Sequence, residues 1–226
     1  MDKKILILLP IWGREQITKI CFDNLKELQK EFDIQVLCVV SEQWAKIEAF
    51  KYGFKHIEAP NECLGTKMNI GIKEAVTFKF DYLMNLGSDD IITKELFKTY
   101  EHLFDKEASF FGSTKLSIVD SEAKEIKEYD YKGMMGAGRC IKKDVLVKTL
   151  KNGDIYDKIQ AGLDMNSASK FNCEMIEVDN AFNTIYDIKS ATNIWSYKDL
   201  KSGKPVEFEK GVSGLTTKQI DAILDL

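Results

Sequence analysis

The sequence predicts an α/β fold in which a mostly parallel central sheet is covered by helices. Two apolar runs of strand length, at residues 5–9 and 34–40, are continuous rather than alternating, which is typical of strands buried on both faces of a parallel sheet. Between them, apolar residues recur at helical spacing from Ile17 to Phe32. With 226 residues and 44% hydrophobic content, the chain is long enough to bury a full core.

The first half of the chain is predicted to alternate strands and helices. Each predicted strand is a short apolar run that ends at turn residues, and each predicted helix is a longer segment with one apolar face. The predicted strands are 5–9, 34–40, 54–57 and 80–86, and the predicted helices are 17–32, 68–76 and one from about Thr93 to residue 104. This alternation favours a sheet of parallel strands joined by helices.

The second half is less regular. Strands are predicted at 109–113, 116–119, 175–178 and 182–188, and a helix at 156–171. The glycines in Gly133-Met-Met-Gly-Ala-Gly-Arg139 predict a loop that bends tightly or approaches another group closely. Residues 201–205 resemble a linker, and Thr216 with Gln219 predicts a capping box that opens a last helix. We therefore expect one domain at 1–198, followed by a linker and helical tail at 199–226.

Composition limits the class of protein. The net charge of −4 and the even mixture of charged residues leave no basic patch for nucleic acid or an anionic membrane. The apolar run at 5–9 is too short for a signal peptide or a transmembrane segment. Five scattered cysteines and two histidines predict neither a disulfide framework nor a zinc site. The sequence thus favours a cytoplasmic protein in which oxygen ligands would bind any metal.

Two adjacent carboxylates are the main candidates for chemistry. The apolar run at 80–86 ends in Gly87-Ser88 and is followed at once by Asp89 and Asp90. Ligands of open α/β sheets bind at the carboxyl ends of the strands, and aspartates there often hold the divalent cation that accompanies a diphosphate. The same four residues also suit a turn that caps the next helix. Motifs elsewhere in the chain are needed to choose between a metal site and a turn.

The order of several short motifs resembles that of glycosyltransferases with the GT-A fold that use nucleotide-diphospho-sugars, especially the inverting group. The resemblance runs from about residue 4 to about residue 197, and it implies a single Rossmann-like GT-A domain. It rests on Pro10-Ile-Trp-Gly-Arg14 after the first strand, on Ser41-Glu42 after the second, on Leu64-Gly-Thr-Lys-Met-Asn-Ile-Gly71 at a helix start, and on Gly87-Ser-Asp89 at the position of the family's Asp-x-Asp motif.

The resemblance implies a nucleotide-sugar donor and a set of residues that contact it. The implied contacts to the nucleotide are Pro10, Trp12, Arg14, Ser41, Glu42, Lys67, Asn69 and Ser88. Asp89 and Asp90 would hold Mn²⁺ or Mg²⁺, and Asp187 or Asn193 would complete the metal's ligands, since relatives use a late strand for that purpose. The first aspartate of the family motif is Gly87 in this chain.

The general base implied by the resemblance is Asp164. It follows the glycine-rich loop at 133–139, in the order in which the related enzymes place an acceptor loop and a catalytic aspartate; Asp154 and Asp157 are weaker alternatives. Arg139 could bind the diphosphate through its planar guanidinium, or pair with a surface carboxylate. Trp12 and Trp195 could form an aromatic wall for a base or a sugar, or lie in the core.

The predicted function is transfer of a sugar from a nucleotide-diphosphate-sugar to an acceptor hydroxyl, with metal assistance and inversion at the anomeric carbon. The acceptor is open: a saccharide, a lipid-linked sugar, a protein side chain or a modified nucleobase. One alternative is a sugar nucleotidyltransferase, although the Gly-rich basic signature of that class is missing after the first strand. Another is a non-catalytic nucleotide-binding or interaction domain of the same fold. The oligomeric state is not predicted.

Overall fold

The computed structural model describes residues 2–189, 197 and 202–226. Among these residues, strands and helices alternate through the first half of the chain. In order, the elements are β1 (Ile5–Ile11), α1 (Glu15–Leu28), β2 (Ile34–Val40), α2 (Gln43–Lys51), β3 (Lys55–Glu58), α3 (Leu64–Ala75), β4 (Tyr82–Asn85), β5 (Asp90–Ile92), α4 (Lys94–Asp105), β6 (Phe110–Ser113), β7 (Lys115–Asp120), β8 (Glu125–Asp130), β9 (Cys140–Lys142), α5 (Lys143–Leu150), α6 (Leu163–Ala168), β10 (Met175–Val178), β11 (Ile185–Lys189), β12 (Lys204–Val206), α7 (Phe208–Gly211) and α8 (Thr217–Leu224).

The main sheet has seven strands in the order β10-β6-β9-β4-β1-β2-β3. Strand β1 lies inside the sheet and pairs in parallel with β2 on one side and with β4 on the other. Strand β9 is antiparallel to both of its neighbours, β4 and β6. The predicted α/β fold with a mostly parallel central sheet is therefore confirmed, and the carboxyl ends of β1, β2 and β4 meet at one edge.

Both faces of the main sheet are buried. Residues of β1 alternate between two cores: Ile7 and Leu9 pack with α1 and α4 on one face, while Leu6 and Leu8 pack with α3 and α5 on the other. Helix α3 lies so close that a Cβ on Gly71 would be 2.6 Å from the Val39 side chain and 2.7 Å from that of Leu8. Burial on both faces explains why the first strands are continuous apolar runs.

A second sheet has five strands in the order β12-β8-β7-β11-β5. Strand β5 is only three residues long, and it runs antiparallel to β11 so that Asp90 is paired with Asp187. Apolar residues from this sheet, including Tyr186 and Ile188, pack against Ile17 and Ile20 of α1. The second sheet thus carries a late part of the chain to the edge of the main sheet.

Residues 204–226 pack against the rest of the chain. Strand β12, within the segment that resembled a linker, pairs with β8. The predicted capping box is confirmed, because Thr216 and Gln219 exchange hydrogen bonds at the start of α8. Lys218 of α8 forms an ion pair of 3.1 Å with Asp23 of α1. The last helix therefore covers part of the helix that follows β1.

Several predicted elements are confirmed, and one predicted helix has the wrong bounds. The strands at Ile34–Val40 and Met175–Val178 have the predicted bounds, and Thr93 is the N-cap of α4. The helix predicted at 156–171 is only Leu163–Ala168, since the chain reaches Gly162 in a left-handed conformation with φ of 74°. Elements α2, β5, β8, β9 and α5 were not predicted. None of the helices in the described part of the chain has the length and apolar content that crossing a bilayer needs.

Candidate active site

Two adjoining cavities open at the edge where the parallel strands end. The first has a volume of about 170 Å³ and includes Pro10, Trp12, Arg14 and Lys67 in its lining. The second, of about 530 Å³, includes Asp90, Asp164 and Asp187 together with the rings of Tyr129 and Tyr131. Residues that line both cavities are Leu64, Asp89, Gln160 and Lys189. The cavities therefore meet at Asp89 and Lys189.

The loop after β1 has an unusual backbone. Gly13 and Arg14 both adopt left-handed conformations, with φ of 60° and 53°, and such a φ is uncommon for a residue with a side chain. The carboxylate of Glu42, at the end of β2, accepts a hydrogen bond of 2.6 Å from the Gly13 N–H. Glu42 thereby stabilises the loop, and Trp12 remains 46% exposed beside the first cavity.

Arg14 points back to the two residues that follow Gly87. Its Nη1 donates a hydrogen bond of 2.5 Å to Oδ2 of Asp89, and its Nη2 donates one of 3.3 Å to the hydroxyl of Ser88. Ser88 itself is fully buried. The strained conformation of Arg14 therefore brings a guanidinium into contact with Asp89, one of the predicted metal ligands.

Asp89, Asp90 and Asp187 form a carboxylate triad in which one oxygen of each lies within 4.8 Å of the others. Burial and the neighbouring charge of Asp89 raise the pKa of Asp90 well above its usual range, and burial also raises that of Asp187. In the described structure, the buried Oδ1 of Asp187 lacks a hydrogen-bond partner. Clustered carboxylate oxygens, one of them unsatisfied, fit a hard divalent cation such as Mg²⁺ or Mn²⁺.

Gly87 occupies the position at which the resembled family has its first motif aspartate. A Cβ at Gly87 would lie 2.7 Å from Oδ1 of Asp89 and 2.7 Å from Oδ2 of Asp90, and the Gly87 N–H donates to that same Asp90 oxygen at 2.7 Å. A side chain here would push the two carboxylates out of place. The third carboxylate of the triad comes instead from Asp187, through the pairing of β11 with β5.

Asp164 lies in the first turn of α6, and its side chain is 43% exposed on the second cavity. The alternative bases lie elsewhere: Asp154 forms an ion pair of 2.6 Å with Lys73, and Asp157 forms one of 3.1 Å with Lys170. Neither Asp154 nor Asp157 lines the two cavities. Of these three aspartates, Asp164 is the one that shares a cavity with the triad.

Arg139 is buried, with 1% of its surface exposed, and its guanidinium is used inside the protein. It donates hydrogen bonds to the carbonyl oxygens of Met134 and Met135, at 2.8 and 3.1 Å, and to the Asp164 carbonyl and the Ser167 hydroxyl, at 3.1 and 2.9 Å. The predicted diphosphate contact does not fit this position, because the guanidinium is closed off from both cavities. Arg139 instead ties the glycine-rich loop to α6.

Two further predicted contacts are also used inside the fold. Asn69 is 4% exposed and exchanges hydrogen bonds of 2.7 and 3.0 Å with the backbone of Tyr156. The Ser41 hydroxyl donates to the Ala59 carbonyl oxygen at 2.9 Å. These positions fit structural roles rather than direct contact with a nucleotide. Asn193 and Trp195, the other candidates from the late strands, lie outside the described residues.

Two lysines bring positive charge to the cavities. Lys67 donates hydrogen bonds to the Ile11 carbonyl oxygen at 2.8 Å and to Oδ1 of Asn61 at 3.3 Å, and burial lowers its pKa to about 8. Lys189 was not singled out from the sequence, yet it ends β11 and donates to Oδ2 of Asp187 at 2.6 Å. Burial lowers the pKa of Lys189, but Asp187 and Asp89 outweigh it and leave the pKa raised.

Comparison with known proteins supplies a fold but no family. No protein-family model matches this chain, and a search of curated protein sequences finds no match. Among solved structures, TarS from S. aureus is similar with a TM-score of 0.57 and 14% identity, over 83% of this chain and 37% of the TarS chain. The bifunctional IspDF from Campylobacter jejuni gives a TM-score of 0.53 and 12% identity, over 88% of this chain and 53% of the IspDF chain.

Both likenesses concern architecture, because sequence identities of 14% and 12% establish nothing finer. The chain spans only 37% of the length of the TarS chain. What is shared is a mixed α/β domain with a mostly parallel central sheet and helices on both faces. This chain therefore shares a Rossmann-like α/β architecture with these two solved structures.

Proposed function

We propose that this protein is a glycosyltransferase that moves a sugar from a nucleotide-diphosphate-sugar to an acceptor hydroxyl. The observation that carries the proposal is the carboxylate triad at the junction of two cavities, one of which also holds Asp164. The fold is one that glycosyltransferases and nucleotidyltransferases share, so the choice between them depends on the site.

The charges of the two cavities support binding of the donor's diphosphate in the first cavity and of the acceptor in the second. The first cavity is lined by three cationic side chains, Arg14, Lys67 and Lys189, and by one carboxylate, Asp89. The second is lined by four carboxylates and one ammonium group, which belongs to Lys189. An anionic diphosphate is therefore favoured in the first cavity, with its nucleoside beside the exposed ring of Trp12. The acceptor and the transferred sugar fit the second cavity.

The triad would hold a divalent metal ion, with ligands from Asp89, Asp90 and Asp187. When bound, Mg²⁺ or Mn²⁺ supplies positive charge that offsets the charge developing on the departing diphosphate. Arg14 and Lys67 bind the anionic part of the donor from the other side. Under this proposal, positive charge lies beside the leaving group before the reaction begins.

Asp164 would act as the general base. Its partly exposed carboxylate faces the second cavity, where it can accept the proton of the acceptor hydroxyl. The hydroxyl oxygen forms a bond to the anomeric carbon as the bond from that carbon to the diphosphate oxygen breaks, and the nucleoside diphosphate leaves. Attack from the side opposite the leaving group inverts the configuration of the sugar.

The alternative enzyme class is a sugar nucleotidyltransferase, which the shared fold also supports. Such an enzyme would bind a nucleoside triphosphate with a sugar phosphate and release pyrophosphate. The second cavity bears on this choice, because a sugar phosphate is an anion and that cavity is also lined by Asp164, a carboxylate outside the proposed metal site. A neutral sugar acceptor is therefore favoured over a sugar phosphate.

The test is the melting temperature of the protein with a panel of nucleoside diphosphates, triphosphates and nucleotide-sugars, with and without Mn²⁺. We expect a rise with one nucleotide-sugar and its diphosphate that is present without Mn²⁺ and larger with it, because a ligand that binds the native state stabilises it. Asp187→Asn should lose the metal-dependent part, whereas Asp221→Asn, an exposed change on α8, should keep it. A rise with triphosphates alone, followed by pyrophosphate release with a sugar phosphate, would favour the nucleotidyltransferase.

A further inference from the structure

We propose that Lys189 is a further catalytic residue, which binds the diphosphate of the donor where the two cavities meet. This inference rests on the proposed function and names a contact that the sequence did not suggest. Lys189 and Asp89 are the charged residues that line both cavities. If the nucleotide fills the first cavity and the acceptor the second, the bond between sugar and phosphate lies beside these two side chains.

The position of Lys189 is fixed by the sheet. The residue ends β11, where it is paired with Asp120 of β7, and the preceding Ile188 donates its N–H to the Asp89 carbonyl oxygen at 2.9 Å. The side chain is 10% exposed and reaches Oδ2 of Asp187 at 2.6 Å. Lys189 is therefore a preorganised cation at the junction, held by the same strand, β11, that carries Asp187 to the triad.

The ammonium group of Lys189 can donate a hydrogen bond to a second acceptor besides Asp187. An ammonium has three N–H donors, and its hydrogen bond to Asp187 uses one of them. A phosphate oxygen at the junction would accept another from this side chain, which is 10% exposed. Arg14 and Lys67 line only the first cavity, so neither contacts the second cavity, where the transferred sugar would lie. Lys189 would thus meet the phosphate that carries the sugar.

A purely structural role would be to neutralise Asp187, and the two roles differ in what they do to nucleotide selectivity. A cation that binds the second phosphate strengthens the binding of a nucleoside diphosphate over that of the matching monophosphate. A cation that only pairs with Asp187 has no such preference. The ratio of the two affinities therefore separates the roles, and it does so without any measurement of turnover.

The experiment is titration calorimetry of the wild-type protein, Lys189→Met and Lys189→Arg with the nucleoside diphosphate from the thermal panel and its monophosphate, without metal. In Lys189→Met we expect the affinity for the diphosphate to fall by about 10- to 100-fold, the value of one hydrogen bond to a charged group, while the monophosphate changes by about 2-fold or less. Lys189→Arg should keep most of the preference, and Lys170→Met, a surface change, should keep all of it.

The outcomes separate this inference from the proposed function. A diphosphate preference that survives in Lys189→Met, or equal losses for both nucleotides, overturns the role of Lys189 and leaves the transferase intact. A wild-type protein that binds no nucleoside diphosphate overturns both. Should Lys189→Met fail to fold, Lys189→Gln is measured instead, because its amide can still donate to Asp187 while carrying no charge.

Discussion

The backbone of Gly136 lies directly against the carboxylate of Asp164, so that a Cβ at Gly136 would be 2.2 Å from Oδ1 of Asp164. Arg139, from the same glycine-rich loop, donates to the Asp164 carbonyl oxygen at 3.1 Å. The loop therefore contacts the proposed base from two directions. Glycine at position 136 allows the carboxylate to occupy its place beside the second cavity.

Gly136→Ala should impair catalysis more than stability. The added methyl group would displace the Asp164 carboxylate, which is the far end of a partly exposed side chain and can move at little cost. Because a misplaced base loses rate steeply, we expect kcat to fall by about 10-fold or more while the melting temperature changes little. Steady-state rates and thermal unfolding of the same preparation measure both. An unchanged kcat would show that the contact with Gly136 does not position the base.

Asp164→Asn should remove the general base without removing donor binding. The amide cannot accept the acceptor's proton, so we expect kcat to fall by about 10²- to 10⁴-fold. Affinity for the nucleoside diphosphate should remain near that of the wild type, since Asp164 lines only the second cavity. Asp154→Asn is the matched control, because Asp154 pairs with Lys73 away from both cavities. A larger loss in the control than in Asp164→Asn would transfer the role of base to Asp154.

Arg139→Met should destabilise the whole domain. The change leaves the carbonyl oxygens of Met134, Met135 and Asp164 without their buried donor, and each such loss is costly. We expect the free energy of unfolding to fall by about 3–5 kcal/mol, the usual result of breaking a buried charged network. Urea unfolding measures it. Lys170→Met removes an exposed ion pair and should leave the urea midpoint almost unchanged.

Nucleotide binding should depend on Lys67 and on pH. Burial lowers the pKa of Lys67 from 10.5 to about 8, so the ammonium that attracts a phosphate is lost as the pH rises through 8. Affinity for the nucleoside diphosphate, measured without metal between about pH 7 and pH 9.5, should therefore decline through that window. Lys67→Arg should bind without this decline, because a guanidinium stays charged. An identical decline in both proteins would assign it to another group.

The lowered pKa of Lys67 also makes the free energy of unfolding depend on pH. This dependence has the opposite direction to that of nucleotide affinity. Between pH 8 and pH 10.5 the unfolded chain keeps the Lys67 proton while the folded chain releases it. The unfolded state then binds more protons, so the contribution of Lys67 to the free energy of unfolding rises with pH across this window. Nucleotide binding and stability should thus respond to alkaline pH in opposite directions at this one residue.

The sequence predicted six of the seven strands of the main sheet, all except β9, because local burial decides them. Ile34–Val40 is apolar except for Gln35 and lies between two other strands, so its pattern alone set its bounds. Strand β5 was missed for the opposite reason. Asp90-Ile-Ile92 is too short to show a pattern, and it is a strand only because it pairs with residues 185–187, far along the chain.

The candidate site was predicted in part for similar reasons. Asp89 and Asp90 could be identified because they end an apolar run, and the structure brings Asp187 to them. Arg139 and Asn69 carry polar groups that suit a ligand, but a buried backbone uses those groups, and no local pattern reveals this. Lys189 was overlooked because its importance comes from the place where two cavities meet. An alternation of buried Tyr186 and Ile188 with charged Asp187 and Lys189 was the available signal.

The pairing of β5 with β11 also determines when the site can exist. Asp90 and Asp187 are separated by 97 residues along the chain (187 − 90), and such long-range pairing is slow because it closes a large loop before it gains contacts. During synthesis on the ribosome, the strands β1 to β4 emerge first, whereas the triad cannot close until residue 187 has been made. A nascent chain would thus hold much of its central sheet while it is still unable to capture a metal ion, and ligand binding would report completion of the fold.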